Sequence, residues 1–382
     1  WRELPHTKGG VTMTSIIYVG MDVHTTNYTL CCYSVSDDRT FAIAQVEPDY
    51  HEILKYLARV EKHRGEKCQF VCGYEAGCLG YSLYHQLHSH EIDCVILAPS
   101  TMMTAPGKRV KTDRKDAERI SKCLAFHTYS PVHVPTEMDD AVKEYIRMRD
   151  DGNMALIRVK QQIIAFCTRH GKPFDGKSYW TKKHLDWLCE MDFGSAILKE
   201  TLQEYMILYF QLREKVDMYD VRIEKLSQMD TYLEPVQRLG CLRGIAAHTA
   251  LSLCVEVGDF RRFATAQQFA SYIGLVPGEC SSGDKQHYTG ITKAGNSHLR
   301  KLLVEAAQVF SRSATKSGKS AALKERQAKC DSVIVAYADK ANARLKKKYF
   351  RIALKSKANI AKAAVARELA CFVWGLMTEH VA

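Results

Sequence analysis

Four acidic residues supply the most specific chemistry in this sequence. Asp22 stands in the middle of an apolar strand pattern, YVGMDVH, where a carboxylate is costly to bury unless a positive group meets it. Glu75 ends a second such pattern, VCGYEAG. Asp113 and Asp116 lie in KTDRKDAERI at i and i+3 of a starting helix, so both project from one face roughly 5–6 Å apart. Carboxylates converging in this way repel one another, and divalent cations relieve the repulsion; two of them about 3.5–4 Å apart clamp a displacement at phosphorus. Taken singly, Glu75 also suits a strand-end surface and Asp113 suits a helix N-cap. Lys111, Arg114 and Lys115 surround the pair and match a nucleic-acid backbone, though each alone equally suits solvent.

These residues need a scaffold, and the apolar pattern predicts one. Between Ile16 and about His127, IIYVGMDVH, YTLCCYSV and RTFAIAQVE read as three successive strands. A helix over about Tyr50 to His63 follows, with Ile53, Leu54, Leu57 and Val60 on one face. The strand QFVCGYEA, a helix over about Leu79 to His90, the strand DCVILAP and a helix from near Asp113 complete a β-β-β-α-β-α-β-α order. A hairpin meander continued by βα units makes a mixed sheet with helices packed on it, and this topology sets Glu75 beside the first strand.

From about Asp139 to Asp230 strand signals vanish. Leu198, Leu202, Tyr205, Tyr209, Leu212, Val216, Tyr219, Ile223 and Leu226 recur in alternating steps of four and three, the mark of a coiled-coil seam. Its partner is either the helix before Gly171 in the same chain or a second subunit, and the two can coexist. A compact, mostly helical region follows Pro235. Its stretch from Lys340 to Arg367, with Lys346, Lys347 and Lys348 at its centre, is basic without an acidic residue, which points to phosphate contacts, with Tyr349 and Phe350 available to stack on bases.

The C-terminal region holds a second constellation. VQRLGCLRGIAAHTALSL reads as helix, turn, helix, whose loop around Arg243 and Gly244 can meet a phosphate at the second helix's N-terminus; a plain helix-helix turn is the other reading. In GLVPGECSSGDKQHYTGITKAGNSHLRK, a Ser-Ser-Gly loop is accompanied by Lys285, Lys293 and a basic helix that begins with His298, Arg300 and Lys301. A hydroxyl on a glycine-flanked loop with cations nearby suits covalent phosphoryl transfer, and Ser-Gly is also an ordinary turn.

Composition narrows the class. The 382 residues carry 54 Lys+Arg against 43 Asp+Glu, a formal charge of +11, which favours a polyanionic partner. No apolar run reaches the 18 or so residues of a membrane-spanning helix, which leaves surface contact as the only membrane option. The 14 cysteines are scattered, often in apolar runs, with no Cys-x-x-Cys pair, which fits a reduced, cytosolic protein without structural zinc. Residues 1–12, ahead of Met13, read as a leader or an expression remnant.

The strand Asp, the YEA after a hydrophobic strand and the KTDxxDA helix start resemble the RuvC-like domain of DEDD transposases from bacterial insertion sequences. GLVP, the Ser-Gly, TKAG and LRK are similar to the same family's C-terminal transposase domain, and the loop at Arg243, Gly244, Ile245 and Ala246 resembles its helix-hairpin-helix, where Pro-Gly-Ile-Gly is usual. The resemblance spans nearly all the chain after Met13. It implies an RNase H/RuvC-like α/β domain at 13–138, a helical coiled-coil segment at 139–235 and a mostly helical transposase domain at 236–382. It also implies an RNA-guided DNA recombinase in which Asp22, Glu75, Asp113 and Asp116 hold Mg²⁺, or Mn²⁺, while the nucleophilic serine falls on Ser282, with Ser281 beside it. The expected partners are donor and target DNA, a structured bridge RNA and further copies of the chain, in the bacterial cytoplasm at the nucleoid. A RuvC-like endonuclease that activates water and a non-catalytic nucleic-acid-binding protein are the alternatives.

Overall fold

The computed structural model describes residues 15–103, 112–279, 287–312 and 318–381, in two compact units that divide between Val134 and Pro135. The first is a mixed α/β unit. Its elements are β1 (Ser15–Val23), β2 (Tyr28–Ser34), β3 (Arg39–Val46), α1 (Tyr50–Arg64), β4 (Cys68–Glu75), α2 (Ser82–His88), β5 (Asp93–Leu97) and α3 (Asp113–Ala125). The five strands form one sheet in the order β3-β2-β1-β4-β5. β1 runs antiparallel to β2 and parallel to β4, so the first strand lies at the centre with Glu75's strand beside it.

Alternation along β1 divides the sheet's two faces. Ile17, Val19 and Met21 share a buried cluster with Ile53 and Leu57 of α1 and Leu83 and Leu87 of α2. Tyr18, on the other face, packs with Ile120, Cys123 and Leu124 of α3. Gly20, also on that face, is where α3 comes closest: a Cβ there would stand 2.1 Å from the Ala117 carbonyl oxygen and 2.3 Å from the Ser121 nitrogen. Gly73, paired with it on β4, takes side chains instead: a Cβ there would stand 2.8 Å from Leu124 Cδ2 of α3 and 2.9 Å from Leu97 Cδ1 of β5.

The second unit contains α4 (Glu137–Arg169), α5 (Lys182–Cys189), α6 (Ala196–Ser227), α7 (Asp230–Gly240), α8 (Ala247–Val257) and α9 (Ala266–Tyr272). A small antiparallel hairpin, β6 (Pro277–Glu279) and β7 (Tyr288–Ile291), precedes α10 (Ser297–Ala307), α11 (Ala321–Gln327), α12 (Ser332–Ala353) and α13 (Ala358–Met377). The apolar seam of α6 meets α4 of the same chain. Leu202, Tyr209 and Val216 cluster with Leu156, Val159 and Ile163, while Ile223 and Leu226 join Val142 and Ile146 in the core shared with α8, α10 and α13. The bidentate Arg149–Asp220 pair, at 2.7 and 2.9 Å, ties the two long helices together beside this seam.

One element is new here, and one expectation changes. The β6–β7 hairpin was not visible in the sequence, because strands of three and four residues are too short to show alternation. Tyr349 is no stacking platform: it is buried on the core-facing side of α12, and Phe350 is half-buried against the same core. Among the described residues, no helix is long and apolar enough to cross a membrane.

Candidate metal centre and nucleic-acid interface

The acidic centre follows from the β1–β4 register. Met21 pairs with Tyr74, so Asp22 and Glu75 come next, side by side at the carboxyl ends of parallel strands. Asp22 is therefore the penultimate residue of β1 and not in its middle, and it shares the α3-facing side with Gly20. Because Gly20 admits the helix backbone, the first turn of α3 carries Asp113 and Asp116 to that same edge. Thr112 caps the helix, its hydroxyl accepting from the Lys115 N–H at 3.3 Å. This leaves Asp113 exposed at the first helical position instead of occupied as the cap.

The four carboxylates are not equivalent. Asp22, Asp113 and the neighbouring His24 offer ligand atoms that all lie within 4.8 Å of one another. His24 Nε2 stands 3.4 Å from Asp22 Oδ2. Burial raises the Asp22 carboxyl above its ordinary range; His24 opposes this, and the charges of Asp113 and Asp116 add to it. Glu75 and Asp116, in contrast, are both bound by Arg119 of α3. Its Nη2 donates to Glu75 Oε1 and lies 3.1 Å from Asp116 Oδ1. A crowded oxygen-donor set with a raised carboxyl is one that a divalent cation would relieve, so these residues fit such an ion.

Comparison with known proteins identifies the lineage. Residues 236–323 match the family described as "Transposase IS116/IS110/IS902 family", and residues 19–170 match the DEDD domain of IS110 transposases, described as "Transposase". The y4qE protein of Sinorhizobium fredii, named as a transposase, is 36% identical over 307 residues, covering 80% of this chain and 75% of that one. The chain belongs to the IS110/IS116/IS902 family of insertion-sequence transposases. The transposase for insertion sequence element IS1533 of Leptospira borgpetersenii is 29% identical across 89% of this chain and 98% of its own. That for IS1111A of Coxiella burnetii is 28% identical across 54% and 56%. A transposase acts on DNA, and its DEDD domain accords with dependence on a divalent metal.

The remaining site residues of this transposase are distributed as follows. Lys111, Ser281, Ser282 and Lys285 lie outside the described residues. Lys115 is exposed, and Arg114 pairs with Glu118 at 3.3 Å on the surface. Arg243 and Gly244 occupy the turn between α7 and α8. The Arg243 N–H donates to Asn342 Oδ1 at 2.9 Å, its side chain donates to the Gly318 carbonyl at 2.9 Å, and Gly244 has φ +91° against the Ala306 carbonyl of α10. Lys293 and Lys301 are exposed. Arg300 donates to the carbonyls of Ile273 and Ala294, at 2.8 and 3.3 Å, and so braces the turn before α10. Lys347 is exposed and Lys346 half-buried, while Lys348 pairs with Glu368 at 2.6 Å, just past the acid-free run.

Sequence reasoning missed His24 and Arg119. His24 sits two residues from Asp22, a spacing that strand alternation could have flagged; Arg119 carries no signal until β4 and α3 are brought together. It also missed a buried network in the second unit. Asp150 of α4 contacts His298 Nε2 at 2.9 Å and His248 Nε2 at 3.0 Å, the latter out of line for a hydrogen bond. His298 Nδ1 reaches Glu256 Oε1 at 3.2 Å, and Glu256 also receives Asn296 and Arg147, each at 2.9 Å. Burial works to lower His298, but Asp150 and Glu256 outweigh it and push it up to about 9. Burial would raise Glu256, yet hydrogen bonds from His298 and Asn296 and the charge of Arg147 bring it down to about 2.

Proposed function

We propose that this transposase is an RNA-guided DNA recombinase, in which a cation-holding DEDD site and the Ser282 hydroxyl cut and rejoin strands. The observation that carries the reading is the meeting of four carboxylates at one sheet edge in a chain of this family. In the proposed roles, Asp22, Glu75, Asp113 and Asp116 hold Mg²⁺, or Mn²⁺, since hard oxygen donors suit both. Bound there, the ion supplies Lewis-acid stabilisation of charge on a phosphate. Ser282 Oγ forms a bond to phosphorus as a DNA P–O bond breaks, and the serine proton passes, in net terms, to the released DNA oxygen. One phosphoester replaces another, so a DNA hydroxyl can reseal the strand without ATP. Lys115, Lys293, Lys301 and Lys347 are exposed cations suited to DNA or RNA phosphates. Lys111 and Lys285 extend this set by sequence.

In this reading residues 13–138 form a RuvC-like domain, consistent with the mixed five-stranded sheet. Residues 139–235 form the coiled-coil segment, supported by the α4–α6 seam, and 236–382 the serine domain, with α7, its turn and α8 as a helix-hairpin-helix. Phe210, Met218 and Val221 are exposed on α6, which supports association of copies through that helix. A bridge RNA would supply sequence recognition by pairing, leaving the protein to read backbone and shape.

The test is adduct trapping on DNA in the presence of the RNA that copurifies with the protein. A covalent protein–DNA species is expected, and it should disappear in Ser282→Ala and in Asp22→Asn. Cleavage to free ends with no adduct would instead establish the water-activating nuclease. Purification without a discrete RNA would remove the guide.

A further inference from the structure

The four carboxylates divide into two halves that are already treated differently by the chain. One half, Asp22 and Asp113 with His24, presents its ligand atoms together and, among the described residues, holds no Lys or Arg contact. The other half, Glu75 and Asp116, is bridged by a single guanidinium nitrogen of Arg119. Arg119 is fixed in this position by its place on α3, three residues beyond Asp116 and on the same helical face. Its side chain is half-buried, and its Nε has no hydrogen-bond partner among the described residues. A permanently charged group that is partly desolvated and in contact with two carboxylates does there what a bound cation would do: it offsets their mutual repulsion.

We propose that Arg119 is a built-in cation for the Glu75–Asp116 half of the centre. The Asp22–His24–Asp113 half then takes one divalent ion, and a second ion enters only by displacing Arg119. This rests on the reading of the DEDD residues as a metal site. Four carboxylates with one arginine carry a formal charge of −3. One divalent ion brings this to −1, whereas two beside a retained arginine would make the centre positive and set like charges within contact of one another. The imidazole of His24 adds a nitrogen donor to the open half, a donor that Mn²⁺ accepts more readily than Mg²⁺.

The experiment is a Mn²⁺ titration of the full chain at pH 7.5, without nucleic acid, with free Mn²⁺ followed by electron paramagnetic resonance. Site-bound ions are counted as those lost in the Asp22→Asn, Asp116→Asn double variant. Wild type is expected to bind one ion, with a second at least about tenfold weaker. Arg119→Gln should bind two ions within that factor of each other, and Arg119→Lys, which keeps the charge, should return to one. Asp113→Asn should lose the first ion, while Glu75→Gln should hold it within a few-fold. Two ions of equal affinity in wild type would overturn the proposal whatever the variants do, and so would a single ion in a folded Arg119→Gln. Either result leaves the metal site standing. No site-bound ion in any of these proteins would instead overturn the metal reading itself.

Discussion

Replacing His298 by Gln removes the charge that joins Asp150 of α4 to Glu256 of α8 through the first turn of α10. In the folded chain His298 is pushed from an ordinary value near 6.5 up to about 9, because two carboxylates within 3.2 Å outweigh the cost of its burial. The interval is roughly 2.5 pH units, and at about 1.36 kcal/mol per unit it corresponds to about 3 kcal/mol. The same contacts depress Glu256, so this energy is counted once. The raised value favours the protonated, folded state: the contribution is full below about pH 6.5 and declines to nothing as pH rises past about 9. For a unit as large as Pro135–Ala382, about 2 °C of melting temperature accompanies each kcal/mol, so the expected gap between wild type and His298→Gln is about 6 °C at pH 6. The assay is thermal unfolding of both proteins at pH 6, 7.5, 9 and 9.5. Because other groups titrate in both proteins alike, the difference isolates His298. A gap that stays constant from pH 6 to 9.5 would refute the reasoning, since it would mean that His298 is not held protonated by its neighbours.

Further outcomes follow from the acidic edge. Gly20→Ala should destabilise the first unit by about 3 kcal/mol or more, because its Cβ would lie 2.1 Å from a backbone oxygen of α3 that cannot move alone. Mn²⁺ affinity should fall with it, and wild-type melting and affinity in this variant would contradict the close approach of α3 to Gly20. Asp22→Asn should abolish strand cleavage while raising the melting temperature above pH 7, since burial and like charge raise the native carboxyl and so oppose its ionised form. Loss of stability in that variant, in metal-free buffer, would count against the crowding of these carboxylates.

Much of this protein is determined locally and so could be read from the sequence. The order of strands and helices in the first unit follows from apolar alternation and helical periodicity, which need only near neighbours. Glu75 and the Asp113–Asp116 pair lie at a strand end and a helix start, where those same patterns place them, whereas Asp22, read as mid-strand, stands one residue from the end of β1. The α6 seam was equally plain, although its spacing could not say which helix would fill it; α4 of the same chain does. Other features were decided only by tertiary packing. Thr112, not Asp113, became the cap; Arg119 met Glu75, 44 residues away; Asp150 met His298, 148 residues away; and Tyr349 turned to the core. A charged side chain's partner depends on which strands are adjacent and how closely a helix can approach them. In the first unit that distance is set at Gly20, whose lack of a side chain lets α3 bring Asp113, Asp116 and Arg119 to the edge where Asp22 and Glu75 already stand.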